Sequence, residues 1–207
     1  MSEPRRSRGE DRDSHLISSG NKSSGNNSGD NNSSDNNSSD NNSSVNTPVE
    51  AMDFRRAIGR LASGVVVATT FAGQHDHAMT ATAVISVSLE PVLVLISVDK
   101  EARWHDAVME SKIWGLSVMP QSLRSAAQWF STPGRPLHGQ LDRVPHHRGA
   151  LGVALIDGAL ATLECRTYAT HSAGDHTLVI GEVVAVATPP DLGPALVHFR
   201  GTFGSLQ

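Results

Sequence analysis

The sequence predicts a mainly β protein in which antiparallel strands form a barrel-like sheet with a few flanking helices. Apolar strand-like runs outnumber helical patterns along the chain, and they do not alternate with helices as βαβ units would. Turn signals at Gly73–Asp76 and Ser172–Asp175 each connect neighbouring strand-like runs, which is typical of antiparallel hairpins.

The folded region is expected to begin with a helix that Asp53 caps and Gly64 ends, with Phe54, Ala57, Ile58 and Leu61 on one face. Further helical patterns lie at 102–110 and 121–130. The stretch 132–149 is rich in Pro, Gly and His and has no clear period. The segments expected to form strands are 65–71, 79–89, 92–98, 113–119, 160–168, 177–187 and 195–199.

The N-terminal segment has a composition unlike the rest of the chain. Residues 18–46 are almost all Ser, Asn, Gly and Asp, and the pentapeptide DNNSS starts at Asp30, Asp35 and Asp40. Such a segment buries no apolar surface that would offset the entropy lost on ordering. We therefore expect residues 1–51 to be a disordered tail and residues 52–207 to form one folded domain. Met52 is a candidate start of translation.

Charge and composition exclude several classes of protein. The net charge is −4, so no basic field suits nucleic acid, and no apolar run approaches the length of a membrane span. The N-terminus lacks the apolar core of a secretory signal, and the single cysteine, Cys165, forms no intrachain disulfide and is expected in the core. These features favour a cytoplasmic protein without a nucleic-acid or membrane partner. The histidines have no recognised zinc spacing, so we expect no metal site.

The segment 79–89 predicts a strand with two different faces. Thr80, Thr82, Ser86 and Ser88 would share one face with Val84, and Ala81, Ala83, Ile85, Val87 and Leu89 would form the core face. Small hydroxyls let a flat ligand approach the backbone and offer hydrogen bonds, although a half-solvated strand shows the same pattern. No Rossmann, P-loop or nucleophile-elbow motif accompanies it.

A candidate phosphate site follows the apolar run 92–98. Asp99 is a candidate N-cap of the next helix, and Lys100 and Arg103 would place positive charge beside its free backbone N–H groups. An ordinary capped helix with surface charges is the alternative.

Several segments resemble the flavin reductase-like, FMN-binding split-barrel proteins, which include the NAD(P)H:flavin reductase components of two-component flavin-dependent monooxygenases. These segments occur in the family's order and span nearly all of 52–207. They are FRRAIGRLASGVVVATT (54–70), MTATAVISVSLEPVLVLISVDKEAR (79–103), DGALATLECR (157–166), GDHTLVIGEV (174–183) and HFRGTFGSL (198–206). The resemblance implies a split β-barrel of antiparallel Greek-key type. It also implies a homodimer that binds FMN or FAD near the subunit interface and uses NADH or NADPH as the hydride donor. Reduced flavin would then diffuse to a partner monooxygenase.

The resemblance also implies roles for individual residues. His176, in the GDH motif, would lie near the nicotinamide and flavin rings and is the candidate catalytic residue. The flavin ring and ribityl chain would contact Thr80, Ala81, Thr82, Ser86, Val87 and Ser88. The phosphate would contact Lys100 and Arg103, and Arg200 would help to shape the pocket.

The chain departs from the family pattern where Thr82 replaces Asn, where Glu101 and Ala102 replace Ser or Thr, and where Phe203 replaces Tyr. Three alternatives stay open at this point: a flavin-binding protein without reductase activity, an oxidoreductase of this fold with another acceptor, and a structural or interaction barrel.

Overall fold

A computed structural model describes residues 48–190 and 193–206. Residues 1–47 of the expected disordered tail lie outside the described residues. The helices are α1 (Ala51–Ile58), α2 (Arg103–Ser111) and α3 (Arg124–Ser131), and a short 3-10 helix at Gln121–Leu123 precedes α3. None of the described helices is long and apolar enough to cross a membrane.

Within the described residues, twelve strands form three antiparallel sheets, and the mainly β prediction is therefore confirmed. The largest sheet has the order β3-β2-β6-β9-β10-β5-β4. A three-stranded sheet has the order β1-β11-β12, and β7 pairs with β8. The strands are β1 (Ser63–Gly64), β2 (Val66–Ala72), β3 (His75–Ala81), β4 (Val84–Leu89), β5 (Val92–Asp99), β6 (Ile113–Val118), β7 (His146–Arg148), β8 (Ala154–Ile156), β9 (Ala161–Ala173), β10 (His176–Ala187), β11 (Ala195–Phe199) and β12 (Thr202–Leu206).

The seven-stranded sheet curls into a barrel because its two edges are consecutive in the chain. Strands β3 and β4 are at opposite edges of the sheet, yet only Thr82 and Ala83 separate them. Strands lie about 4.8 Å apart, so a flat sheet of this size would separate its edges by roughly 29 Å. Two linking residues span about 10 Å at most. The sheet must therefore close on itself, and the break between β3 and β4 is the split of the barrel.

Two clusters of buried side chains form the core. One lies inside the seven-stranded sheet around Trp104, Trp114 and Ile96. The other lies under α3 around Phe130, Met119 and Ile156. Cys165 is fully buried in the first cluster, as expected, and burial beside Glu164 raises the pKa of its thiol to about 12.

Both predicted hairpins are present. The β2–β3 turn is Gly73-Gln74, where both residues have positive φ (54° and 69°), and the β9–β10 turn is Gly174-Asp175. A two-residue turn with positive φ at both positions matches the twist of antiparallel strands. The short strands β1, β7 and β8 and the final strand β12 were not anticipated.

The first helix differs from the prediction. It begins at Ala51 with Glu50 in the N-cap position, ends at Ile58, and buries none of its residues. Asp53 therefore lies inside the helix, where its side chain pairs with Arg56 at 3.4 Å. The apolar residues Phe54, Ile58 and Leu61, which indicated a core-facing stripe, are exposed in the single chain.

The segment 79–89 is not one strand, and that prediction was wrong. It breaks at Thr82-Ala83, and its second half forms the edge strand β4. The residues expected on the core face there are exposed: Ile85 by 60%, Val87 by 45% and Leu89 by 81%. The alternation of residue types continues through the break at Thr82-Ala83, so the sequence carried no signal for the change of direction.

Candidate active site

A cavity with a volume of about 770 Å³ opens beside the split of the barrel. Strand β3 and the link to β4 form one wall, and the end of β5 with the start of α2 forms another. The end of α3 and the following loop cover it, and His176 enters from β10.

Five of the predicted site residues line this cavity, namely Thr80, Ala81, Thr82, Arg103 and His176. Thr80 and Ala81 reach it because they end β3 at the edge of the sheet, and Thr82 lies in the link. The Thr80 hydroxyl donates a 2.5 Å hydrogen bond to the carbonyl of Ala127 in α3. Its proton is therefore committed to the fold, and the oxygen faces a ligand only as an acceptor.

His176 is held by the residue before it. Its Nδ1 lies 2.7 Å from Oδ1 of Asp175, and Nε2 has no hydrogen-bond partner among the described residues. The hydrogen bond to His176 lowers the pKa of Asp175, so the carboxylate stays ionised. An ionised carboxylate at Nδ1 fixes this nitrogen as the donor and leaves Nε2 to contact a ligand.

Lys100 does not line the cavity. Its Nζ donates to Oγ of Ser172 at 2.8 Å and to the carbonyl of Gly174 at 2.5 Å. The ammonium group therefore fastens the β9–β10 hairpin to the end of β5.

Asp99 is not the cap of α2, contrary to the prediction. The N-cap is Ala102, which has no side-chain oxygen, and Oδ1 of Asp99 accepts a 2.8 Å bond from the N–H of Glu101. The turn that this bond closes moves the helix start to Arg103. Both Asp99 and Glu101 line the cavity, and both are exposed.

The remaining predicted residues lie away from the cavity within this chain. Ser86, Val87 and Ser88 are on β4, where a register shift between Ser86 and Ser88 interrupts the pairing with β5. Arg200 lies in the turn between β11 and β12, with its guanidinium 5.2 Å from the centre of the Phe199 ring. Neither group is among the residues that line the cavity.

Four further residues that line the cavity have buried polar atoms without a hydrogen-bond partner among the described residues. The atoms are Nδ1 of His77, Nε1 of Trp104, Nε of Arg135 and Oε1 of Gln140. Buried polar atoms in folded proteins are nearly always paired with protein groups, water or a ligand, so the unpaired atoms on this wall are available to polar contents of the cavity. Sequence analysis missed all four, since Arg135 and Gln140 lie in the stretch without a period and Trp104 resembles a core residue.

The cavity lining holds two guanidinium groups, of Arg103 and Arg135, and two carboxyl groups, of Asp99 and Glu101. Burial lowers the pKa of Arg135, and the neighbouring charge of Arg103 lowers it further. Burial also lowers the pKa of His77, partly opposed by a backbone hydrogen bond at Ala72, and the charges of His75 and Arg103 add to the lowering. The lowering favours the neutral imidazole of His77.

No cluster of three or more His, Cys, Asp or Glu side chains in the described parts of the chain could hold a metal ion.

Comparison with known proteins identifies the family. Residues 58–207 match the model of the "Flavin reductase like domain". The chain belongs to this family. An NADH-dependent FMN reductase of Streptomyces nodosus subsp. asukaensis is 35% identical over 157 residues, which cover 75% of this chain and 84% of the relative.

Two further flavin reductase family relatives extend the comparison. The reductase component of 4-hydroxyphenylacetate 3-monooxygenase from Thermus thermophilus is 35% identical over 147 residues, covering 71% of this chain and 91% of its own. The crystal structure of the flavin reductase component of a bacterial two-component tryptophan halogenase has a TM-score of 0.72 and 34% identity, with 76% of this chain and 98% of that chain covered. The resemblance drawn from the sequence segments is therefore confirmed.

Proposed function

We propose that this protein is an NAD(P)H:flavin oxidoreductase that transfers a hydride from a reduced nicotinamide to FMN or FAD. The observation that carries the proposal is the meeting of the β3 edge, Arg103 and His176 at one cavity in a chain of the flavin reductase family. The relatives described above are named as NADH-dependent or as reductase components, which favours NADH as the donor.

The residues around the cavity fit a flavin. A volume of about 770 Å³ is within the range of cofactor pockets. Apolar side chains for a flat ring come from Met79, Val98 and Phe130, and the unpaired polar atoms on the wall suit the hydrogen-bonding edge, the hydroxyls and the phosphate of the ligand.

When bound, the flavin supplies the hydride-accepting ring and the reduced nicotinamide supplies the hydride. The protein contributes position and the exclusion of water. Ala81 and Thr82 present a wall of small side chains that allows a ring to lie close to the backbone. His176 directs Nε2 to the ligand because Asp175 holds Nδ1. No nucleophile or general base is needed, since the two ligands carry the chemistry and the protein holds them close together.

We further propose that the protein acts as a homodimer and passes reduced flavin to a partner monooxygenase in the cytoplasm. The exposed apolar side chains of β4 and α1 support the dimer, because such residues normally pack against another surface. Ser86, Val87 and Ser88 on β4 would then reach flavin across the subunit interface. The Thermus thermophilus relative, a reductase component of a monooxygenase, supports the partner. The NADH dependence in the name of the Streptomyces nodosus relative supports the cytoplasm.

The deciding experiment measures NADH and NADPH oxidation by the purified full chain, with and without free FMN or FAD. We expect oxidation that saturates with added flavin, and the more efficient pair identifies both substrates. A flavin-bound protein without turnover would instead indicate a carrier. Retained flavin with no response to free flavin would indicate another acceptor, and a protein without flavin binding would contradict the proposal entirely.

A further inference from the structure

His105 has a mostly buried imidazole for which the proposed reaction has no direct use. Its side chain is 15% exposed, and it does not line the cavity, whereas the neighbouring Arg103 and Trp104 do. Nδ1 of His105 lies 3.0 Å from Oδ1 of Asp106, and Nε2 lies 3.0 Å from Oγ1 of Thr177. Because both ring nitrogens are committed to protein groups, the side chain is suited to joining parts of the fold and not to binding a ligand.

The direction of these hydrogen bonds follows from the carboxylate. A carboxylate only accepts hydrogen bonds, so the proton of the neutral imidazole lies on Nδ1, and Nε2 accepts from the hydroxyl of Thr177. Asp175 orients His176 in the same way, with Oδ1 at 2.7 Å from Nδ1. When His105 is protonated, Nε2 donates to the same hydroxyl, so the contact with Thr177 exists in both charge states.

The contact between His105 and Thr177 joins helix α2 to strand β10. The helix packs mainly against β2, β3 and β6, and in the described part of the chain this contact is the one hydrogen bond that links it to β10. Thr177 is 6% exposed and directly follows His176, and its backbone pairs with Val98 on one side and Ser172 on the other. The strand is therefore fixed in the sheet, and the hydrogen bond sets where the first turn of α2 lies relative to it.

Helix α2 and strand β10 contribute different parts of the cavity wall. Arg103 and Trp104 come from the helix, and His176 comes from the strand. Lys100 does not set the spacing of these parts, because its Nζ joins the β9–β10 hairpin to the end of β5. Hydride transfer needs reacting atoms about 3–3.5 Å apart, so a small shift of one wall lowers the rate.

We propose that His105 is a positioning residue for hydride transfer, which holds α2 at a fixed distance from His176 through the hydroxyl of Thr177. This inference rests on the proposed function. It predicts an effect on kcat from two residues, His105 and Thr177, that do not line the cavity.

The first test removes the hydroxyl with little change in side-chain shape. We expect Thr177→Val to lower kcat about 3- to 10-fold and to leave KM for NADH and for flavin within about twofold. The deuterium isotope effect with NADH labelled at C4 of the nicotinamide should rise, because hydride transfer becomes slower relative to the other steps. Thr177→Ser keeps the hydroxyl and should retain at least about half of the wild-type kcat.

Thr167→Val is the matched control. The Thr167 hydroxyl also binds a ring nitrogen, Nε1 of Trp114 at 3.2 Å, and neither residue lines the cavity. The control should therefore leave kcat and the isotope effect unchanged, although it removes the same kind of hydrogen bond from the adjacent strand β9.

A double-mutant cycle tests whether His105 and Thr177 act through their hydrogen bond. His105→Leu should lower kcat as much as Thr177→Val does, and the double variant should be no slower than either single variant, since the shared contact is lost only once. Additive losses, an unchanged kcat in Thr177→Val, or equal losses in Thr177→Ser and Thr177→Val would overturn the inference.

Amide hydrogen exchange, measured without added ligand, separates this inference from the proposed function. Thr177→Val should speed exchange along α2 about threefold or more, whereas Thr167→Val should not. Equal exchange in the wild type and in Thr177→Val would overturn the inference. A wild type that does not oxidise NADH would contradict the proposed function, while the exchange rates would still show whether the hydrogen bond holds α2 against β10.

Discussion

Glu164 is a buried carboxylate that organises a turn rather than a reaction. It is 4% exposed, and its two oxygens accept hydrogen bonds from the N–H groups of Ala150 at 2.8 Å and Leu151 at 2.7 Å. Gly149 lies against the carboxyl group so closely that an added Cβ would overlap it. The close approach therefore requires glycine at this position.

Gly149→Ala should lower the free energy of unfolding by about 2 kcal/mol or more, because the displaced carboxylate loses charge-assisted bonds inside the protein. Urea denaturation measures the change. Gly64→Ala is the control, since nothing lies within 4 Å of an added Cβ there, and it should change stability by less than about 0.5 kcal/mol. Similar effects at both glycines would contradict the role of Glu164.

His176→Ala should lower kcat about 10- to 100-fold while changing the Kd for FMN by less than about threefold, because the imidazole orients the ligands at the reacting rings. Steady-state NADH oxidation and fluorescence titration measure the two quantities. Asp175→Asn, which weakens only the support of the ring, should have a smaller effect in the same direction. An unchanged kcat for His176→Ala would remove the histidine from the mechanism.

Cys165 should resist thiol reagents in the folded protein. Its pKa is about 12 because of burial first and the charge of Glu164 second, whereas an ordinary thiol ionises near pH 9.0. The folded state thus disfavours the thiolate more than the unfolded state does. The contribution of the neutral Cys165 thiol to the free energy of unfolding is therefore complete below pH 9.0 and declines as pH rises toward 12. The free energies of unfolding of wild type and Cys165→Ala should therefore diverge between pH 9.0 and 12. Rapid modification of the thiol in native protein below pH 9.0 would contradict the buried position of Cys165.

At the scale of elements, the β9–β10 hairpin carries His176, and one side chain, that of Lys100, adds to the strand pairing that attaches the hairpin to β5. Lys100 joins its tip to the end of β5 through Ser172 and Gly174. Lys100→Met should therefore speed amide hydrogen exchange around Gly174 and lower kcat. Ser172→Ala removes one of the two contacts and should have a smaller effect. Exchange rates equal to those of the wild type would show that strand pairing alone holds the tip.

The sequence was sufficient for elements whose pattern is local. Strand β5 is apolar apart from Ser97 and Asp99, with Val94, Ile96 and Val98 buried and Leu93 and Leu95 half-buried, and β11 matches its predicted bounds. Residue patterns failed where burial depends on distant parts of the chain, as at α1 and at the break between β3 and β4. Arg135 and Gln140 were out of reach for the same reason, because a loop without a period gives no indication of the cavity that it covers.

At the scale of the molecule, β4 is an exposed edge of the barrel sheet. Ile85 and Leu89 of β4 and Val92 of the adjoining strand β5 have exposed side chains. If a second subunit covers this edge, Ile85→Glu should convert the dimer to a monomer in sedimentation velocity experiments, since a buried carboxylate at an interface is costly. Leu206→Glu on β12 is the control, because Leu206 is similarly exposed, at 62%, in a different sheet. A monomeric wild type, or a dimer unaffected by Ile85→Glu, would exclude this edge.

The closed barrel has a consequence for the way the chain folds. Its hairpins join neighbouring segments, but β5 pairs with β10 over a long loop, with Asp99 opposite His176. Distant pairings of this kind form late because loop closure must precede them. The cavity wall is complete only after that pairing. The flavin site is therefore absent in the chain before the folding transition state. Added flavin should therefore slow unfolding and leave the refolding rate unchanged, because it binds the native barrel and not the folding transition state.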